Sequence, residues 1–153
     1  MTAPLALRSL GLADADRIAH ATLAHARQAG MLPLAVAVLD VRGTLKAFLA
    51  EDGTSLYRQQ IAQGKALGAL GMGFGGRELQ RRAQRMPLFM NAVQALSDGN
   101  LVPVQGGVLV RDADGQVVGA VGVSGETSDR DERCAVAGIE AAGYVADCGD
   151  DGT

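Results

Sequence analysis

The sequence predicts an α+β domain: an antiparallel β-sheet built from two hairpins, with helices packed on one face. Three observations lead there. Two pairs of apolar, β-branched segments turn back at short polar links, Arg42-Gly43 and Ala113-Asp114-Gly115. An apolar stripe at helical spacing runs through residues 12–29. The segments between the two hairpins have helical patterns, and two hairpins separated by helices fit a single sheet with helices against it.

Taken in order, Ala15, Ile18, Ala19, Leu23 and Ala26 form one stripe of a helix over 12–29, and Gly30 is a natural left-handed stop. LAVAVLDV (34–41) suits a buried strand, and TLKAFLAE (44–51) is its return partner. Asp52-Gly53-Thr54-Ser55 offers side-chain oxygens to cap a helix over about 56–71. Gly64, Gly68 and Gly71 interrupt that helix, each costing about 1 kcal/mol against Ala. Their spacing of four and three puts them on one face, where another backbone can come close; a helix–helix or helix–sheet contact is expected. A glycine-rich loop (72–76) leads to a short basic helix with Arg77, Arg81, Arg82 and Arg85, and Pro87 opens a helix over 88–97. Residues 101–105 are extended. Residues 108–112 and 116–123 form the second hairpin, and a last helix over 129–146 starts at Thr127 or Ser128.

With 153 residues and 48% hydrophobic residues, the chain is read as one domain over 1–153, large enough for a core of its own. Aromatics are only 3%, so that core is built from Ala, Val, Leu and Ile. A net charge of −3 and the scarcity of stacking rings argue against nucleic-acid binding. No run of 18 apolar residues is present, so no membrane span is expected. Met1 to Leu12 lacks the pattern of a secretory leader, and Cys134 and Cys148 read as reduced thiols of a cytoplasmic protein. No zinc spacing occurs, and no metal site is expected.

Lys65 is the first candidate for chemistry. It shares the Ile61, Lys65, Ala69, Met72 stripe with Gly64 and Gly68 beside it. An amine buried there would have a depressed pKa and would serve as base or nucleophile; the alternative is a lysine that snorkels to the surface. Gly106, Gly107 and the Gly122-Val123-Ser124-Gly125 run leave backbone open to a ligand, with Ser124 and Gly125 as binding candidates, although turn geometry alone also explains such glycines. The run is not a serine-hydrolase elbow, because Glu126 stands where a second glycine belongs. Asp131 and Glu132 are candidate general acid or base groups, although negative charge at a helix start is more simply explained by the macrodipole and capping. Arg77, Arg81 and Arg85 share a face, so Arg81 and its neighbours would receive ligand carboxylates, or else form a solvated or subunit-facing surface. His20 and His25 lie five residues apart and cannot readily share one metal, but either one alone could be an axial donor to a prosthetic group; Tyr57 and Tyr144 are weaker candidates.

Three segments together resemble the GlcG/HbpS-like family: LAVAVLDVRGTLKAFLAEDGT (34–54), IAQGKALGAL (61–70) with its Lys65, and VPVQGGVLVRDADGQVVGAVGVSGETSDRDERCAVAG (102–138). Each motif alone is weak; their order and spacing carry the match. The resemblance implies a profilin-like α+β domain that forms homo-oligomers, and haem as a cofactor in some relatives. Other relatives sit beside cobalamin adenosyltransferases, are named for a glycolate operon, or accompany organic-acid catabolism. The expected function is a small haem- or metabolite-binding accessory protein with an anionic small-molecule ligand. A hydrolase or isomerase acting on a small organic acid, with Lys65, Asp131 and Glu132 as its catalytic groups, is the alternative, and a ligand-free assembly module is a third.

Overall fold

A computed structural model describes residues 8–150. Helix α1 (Leu12–Gln28) precedes the hairpin β1 (Ala35–Asp40) and β2 (Leu45–Ala50). Three helices follow, α2 (Arg58–Met72), α3 (Gly76–Arg85) and α4 (Pro87–Leu96), then the hairpin β3 (Gly107–Arg111) and β4 (Val117–Ser124). Helix α5 (Ser128–Ala141) and a short β5 (Val145–Asp147) complete the described chain. The five strands form one antiparallel sheet in the order β2-β1-β4-β3-β5.

The two hairpins are joined through β1 and β4, from Ala35 opposite Ser124 to Asp40 opposite Gly119. Both turn by the same device. Asp40 Oδ1 accepts from the amides of Arg42 and Thr44, and Asp112 Oδ1 from those of Asp114 and Gln116. Gly43 and Gly115, three residues after each aspartate, take the positive φ (83° and 80°) that closes the turn.

The helices cover both faces of the sheet, not one as the sequence reading had it. Along β1, Ala35, Ala37 and Leu39 face Ala62, Ala66 and Ala69 of α2, while Val36 and Val38 pack with Ile18 and Ala19 of α1 and with Cys134, Ala135 and Ile139 of α5. The reason is visible in β1 itself. A strand with unbroken apolar residues has two water-averse sides, and each needs a cover.

Helix α2 lies against the sheet with almost no side-chain spacer. A Cβ on Gly122 would fall 1.9 Å from the carbonyl oxygen of Ala62, and one on Gly107 would fall 2.3 Å from that of Lys65. The glycines of α2 do something else. Gly64 and Gly68 receive the extended segment at Leu101 and Val102, whose side chains would meet added Cβ atoms at 3.1 and 2.7 Å, and Val102 N donates to Gly64 O at 3.1 Å. Gly71 has no neighbour within 4 Å on that side. The expected helix–helix or helix–sheet contact for this row is therefore corrected to a contact with extended chain.

Two boundaries also differ. The last helix ends at Ala141 rather than near 146, because Gly143 turns with φ 85° and Val145–Asp147 pairs with β3. Helix α2 starts at Arg58 with Tyr57 as its N-cap and no side-chain cap, so the 52–55 run does not cap it. Both cysteines are free: Cys134 is buried with its Sγ 3.2 Å from Met31 Sδ, and Cys148 is half-buried. No helix among the described residues is long and apolar enough to cross a membrane.

Candidate functional site

At the end of the sheet where β3 begins and β4 stops, Lys65 reaches from the α2 layer to the α5 layer. Its Nζ donates to Val123 O at 2.9 Å and to Asp131 Oδ2 at 3.1 Å. The missing side chain at Gly106 makes room for it, since a Cβ there would lie 2.8 Å from Nζ, and φ of 106° favours glycine at that bend. Asp131 accepts the amide of Glu126 on its other oxygen at 2.9 Å. Lys65 and Asp131 keep only 3% and 1% of their side-chain surface. Burial pulls the Lys65 amine below its usual range, opposed by the Asp131 charge, and burial raises the Asp131 carboxyl, opposed by Lys65. The pair is sealed inside the fold, so as it stands it braces two layers and offers no atom to a ligand.

The same sheet end opens to solvent one residue further on. Ser124 is fully buried, and its Oγ accepts from Arg58 Nη1 at 3.1 Å. Arg58, Thr54, Ser55, Pro33, Gly53 and Gly125 line a recess of about 200 Å³ there. Lys65, Asp131, Gly106, Gly107, Ser124 and Gly125, singled out separately in the sequence, thus lie around one end of the sheet. Arg58 was not singled out, because one arginine at a helix start looks like any surface cation.

A second, larger cleft of about 410 Å³ lies across α1, α3 and α5. His25, Arg77, Arg133, Val136, Glu132 and Glu140 line it, together with Ala137. Arg77 donates through Nε to Glu132 Oε1 at 2.7 Å and also pairs with Asp150. The carboxylates hold its guanidinium firmly charged. Glu132 is only 2% exposed, and its Oε2 is buried with no hydrogen-bond partner. Burial raises the Glu132 carboxyl, with Arg77 opposing. Asp131 and Glu132, adjacent in sequence, therefore serve different places: the first the brace, the second the cleft.

The remaining candidates lie elsewhere. Arg81, Arg82 and Arg85 converge on Glu78 at 2.9, 2.8 and 3.4 Å, and Arg82 stacks on Phe74 at 4.0 Å. Arg81 also donates to Gly149 O, so it holds the C-terminal segment against α3. His20 is exposed and sits 3.3 Å from Asp16. Tyr57 is exposed, and Tyr144 donates its hydroxyl to Asp14 at 2.5 Å.

Solved structures share this architecture. The PduOC:haem complex aligns with a TM-score of 0.79 at 24% identity, over 89% of this chain and 96% of that one. Klebsiella pneumoniae protein ORFY aligns at 0.80 and 24% identity, over 94% and 97%. HbpS aligns at 0.76 and 28% identity, over 89% and 92%. No curated protein matches the sequence. Residues 10–140 match the family described as haem degrading protein HbpS-like, and the chain, with its antiparallel sheet and helical covers, belongs to the HbpS-like family.

Proposed function

We propose that this chain is a haem-binding accessory protein whose ligand sits in the cleft of His25 and α5. Haem asks three things of a protein: an axial donor, apolar surface for the ring, and cations for the propionates. The observation that carries the reading is that one cleft brings together the His25 imidazole, the Val136 and Ala137 surface, and the guanidinium groups of Arg77 and Arg133. His25 would supply the axial nitrogen, and the two arginines would hold the carboxylates. Haem would supply its iron chemistry there, while this chain's groups bind and orient it. The family's description and the haem complex of PduOC support the same reading.

Titration with haemin tests it. A saturable Soret band at one haemin per chain is expected, lost in His25→Ala and kept in His20→Ala. No band, or a band indifferent to His25→Ala, would overturn the assignment.

The proposal includes assembly of several copies. Helix α4 (PLFMNAVQAL) carries no charge, buries only Met90, and leaves Leu88 and Leu96 each 85% exposed. An apolar surface of that kind is expected to be covered by a neighbouring molecule.

A further inference from the structure

We infer that the recess at Arg58 is a binding site for a small oxyanion, a short carboxylate or a phosphate group, separate from the His25 cleft. The recess holds about 200 Å³, room for a few heavy atoms rather than a macrocycle. Arg58 is half-buried at its wall, and the one hydrogen bond its side chain makes among the described residues goes to a neutral partner, the Ser124 hydroxyl at 3.1 Å. Among the described residues no carboxylate lies in ion-pair contact with it.

That is unusual for this molecule, because the nearby carboxylates are already taken. Glu51 accepts from Arg27 and from the amide of Leu34 at 2.8 Å. Glu126 accepts from the amide of Leu32 at 2.9 Å and from Arg130 at 3.3 Å. Asp131 is committed to Lys65 and to the amide of Glu126. A guanidinium held in place by a fully buried serine, facing a cavity and lacking a counter-ion, is complementary to a planar or tetrahedral oxyanion. The hydroxyls of Thr54 and Ser55 line the same recess and add donors beside it. Gly53 and Gly125 add no side chain to the wall, which Leu32 and Pro33 complete. The anchoring Ser124 is covalently next to Val123, whose carbonyl accepts from Lys65, so the arginine's anchor adjoins the buried brace.

Propionate and inorganic phosphate, each titrated into the ¹⁵N-labelled full chain, distinguish the sources. Saturable shifts of the Gly53, Thr54, Ser124 and Gly125 amides are expected with at least one of them. Arg58→Gln should weaken that affinity about tenfold or more, and Ser124→Ala should weaken it by a smaller factor while the chain stays folded. Arg42→Gln, an exposed arginine elsewhere, should leave it unchanged. Saturation by propionate alone assigns a carboxylate ligand, and by phosphate alone a phosphoryl ligand. The absence of saturable shifts with both, or saturation that Arg58→Gln does not weaken, would overturn the inference. The haemin titration of Arg58→Gln should match the parent, so this site and the His25 cleft stand or fall separately.

Discussion

Lys65 on α2 donates to Asp131 on α5 at 3.1 Å, past the end of a sheet whose opposite faces those two helices cover. An ion pair in that position is sensitive to loss of one partner more than to loss of both. Asp131→Asn leaves a buried ammonium facing a neutral amide and should cost about 3–5 kcal/mol. Lys65→Met strands the aspartate and should cost a similar amount. The double variant Lys65→Met/Asp131→Asn, which keeps an acceptor for the Glu126 amide, should lose clearly less than the two single costs together. Urea unfolding of the four proteins measures this; additive losses would show that the pair does not couple the layers.

Glu132 gives a pH prediction with a definite sign. Burial raises its carboxyl, so the folded chain holds that proton to higher pH than the unfolded chain. Below the ordinary glutamate range both states are protonated and nothing is lost. As pH rises through the raised value, folding is penalised for carrying a buried charge whose Oε2 has no partner. Glu132→Gln removes the titration, and Arg77 keeps Asp150 as a partner. The glutamine variant should therefore be more stable than the parent at neutral pH and no more stable under acid conditions. The opposite order in chemical denaturation at the two pH values would mean that the Arg77 pairing outweighs burial.

The approach of α2 to the sheet predicts a packing limit at Gly122. A methyl group there would stand 1.9 Å from Ala62 O, against backbone that cannot rotate away. Gly122→Ala should cost about 2 kcal/mol or more, whereas Gly71→Ala, which meets nothing, should be neutral or slightly stabilising. Thermal denaturation of the two variants makes the comparison.

The exposed face of α4 predicts how the chain behaves in solution. Leu88→Glu or Leu96→Glu should lower the mass read by light scattering while each chain stays folded by circular dichroism, because neither side chain is packed in the chain itself. An unchanged mass would place any assembly on another surface.

Much of this architecture was legible in the residues. Both hairpins are read from short polar links, Arg42-Gly43 and Ala113-Asp114-Gly115, between apolar segments; the aspartates that close them, Asp40 and Asp112, emerge only from the structure. The cover on both faces was missed: the apolar run of β1 reads as a buried strand, but helices were expected on one face only, and pairing helices with faces needs the third dimension. The β5 strand is three residues long and carries no period to read; only Gly143 hinted that α5 stops early. Lys65 stood out because an amine among alanines and glycines is costly unless something meets it. That its partner is Asp131, 66 positions on, follows from the fold alone. Arg77 with Glu132, and the unmatched Arg58, were hidden for the same reason: a side chain's counter-ion is a property of the assembled chain.

The two thiols lie at different depths, and this gives the protein two internal clocks. Burial pushes Cys134 up to about 11 and Cys148 to about 12, so neither reacts readily while it is covered. Cys134 is on the buried face of α5 against Met31, and a thiol reagent reaches it only when the central core comes apart. Cys148 is held where the Arg77 amide donates to its carbonyl at 3.0 Å, and peeling that short segment from α3 suffices to uncover it. The slow and fast phases of a single labelling experiment would therefore time global opening and the local opening of the segment after β5 in the same molecule, with no probe added by design.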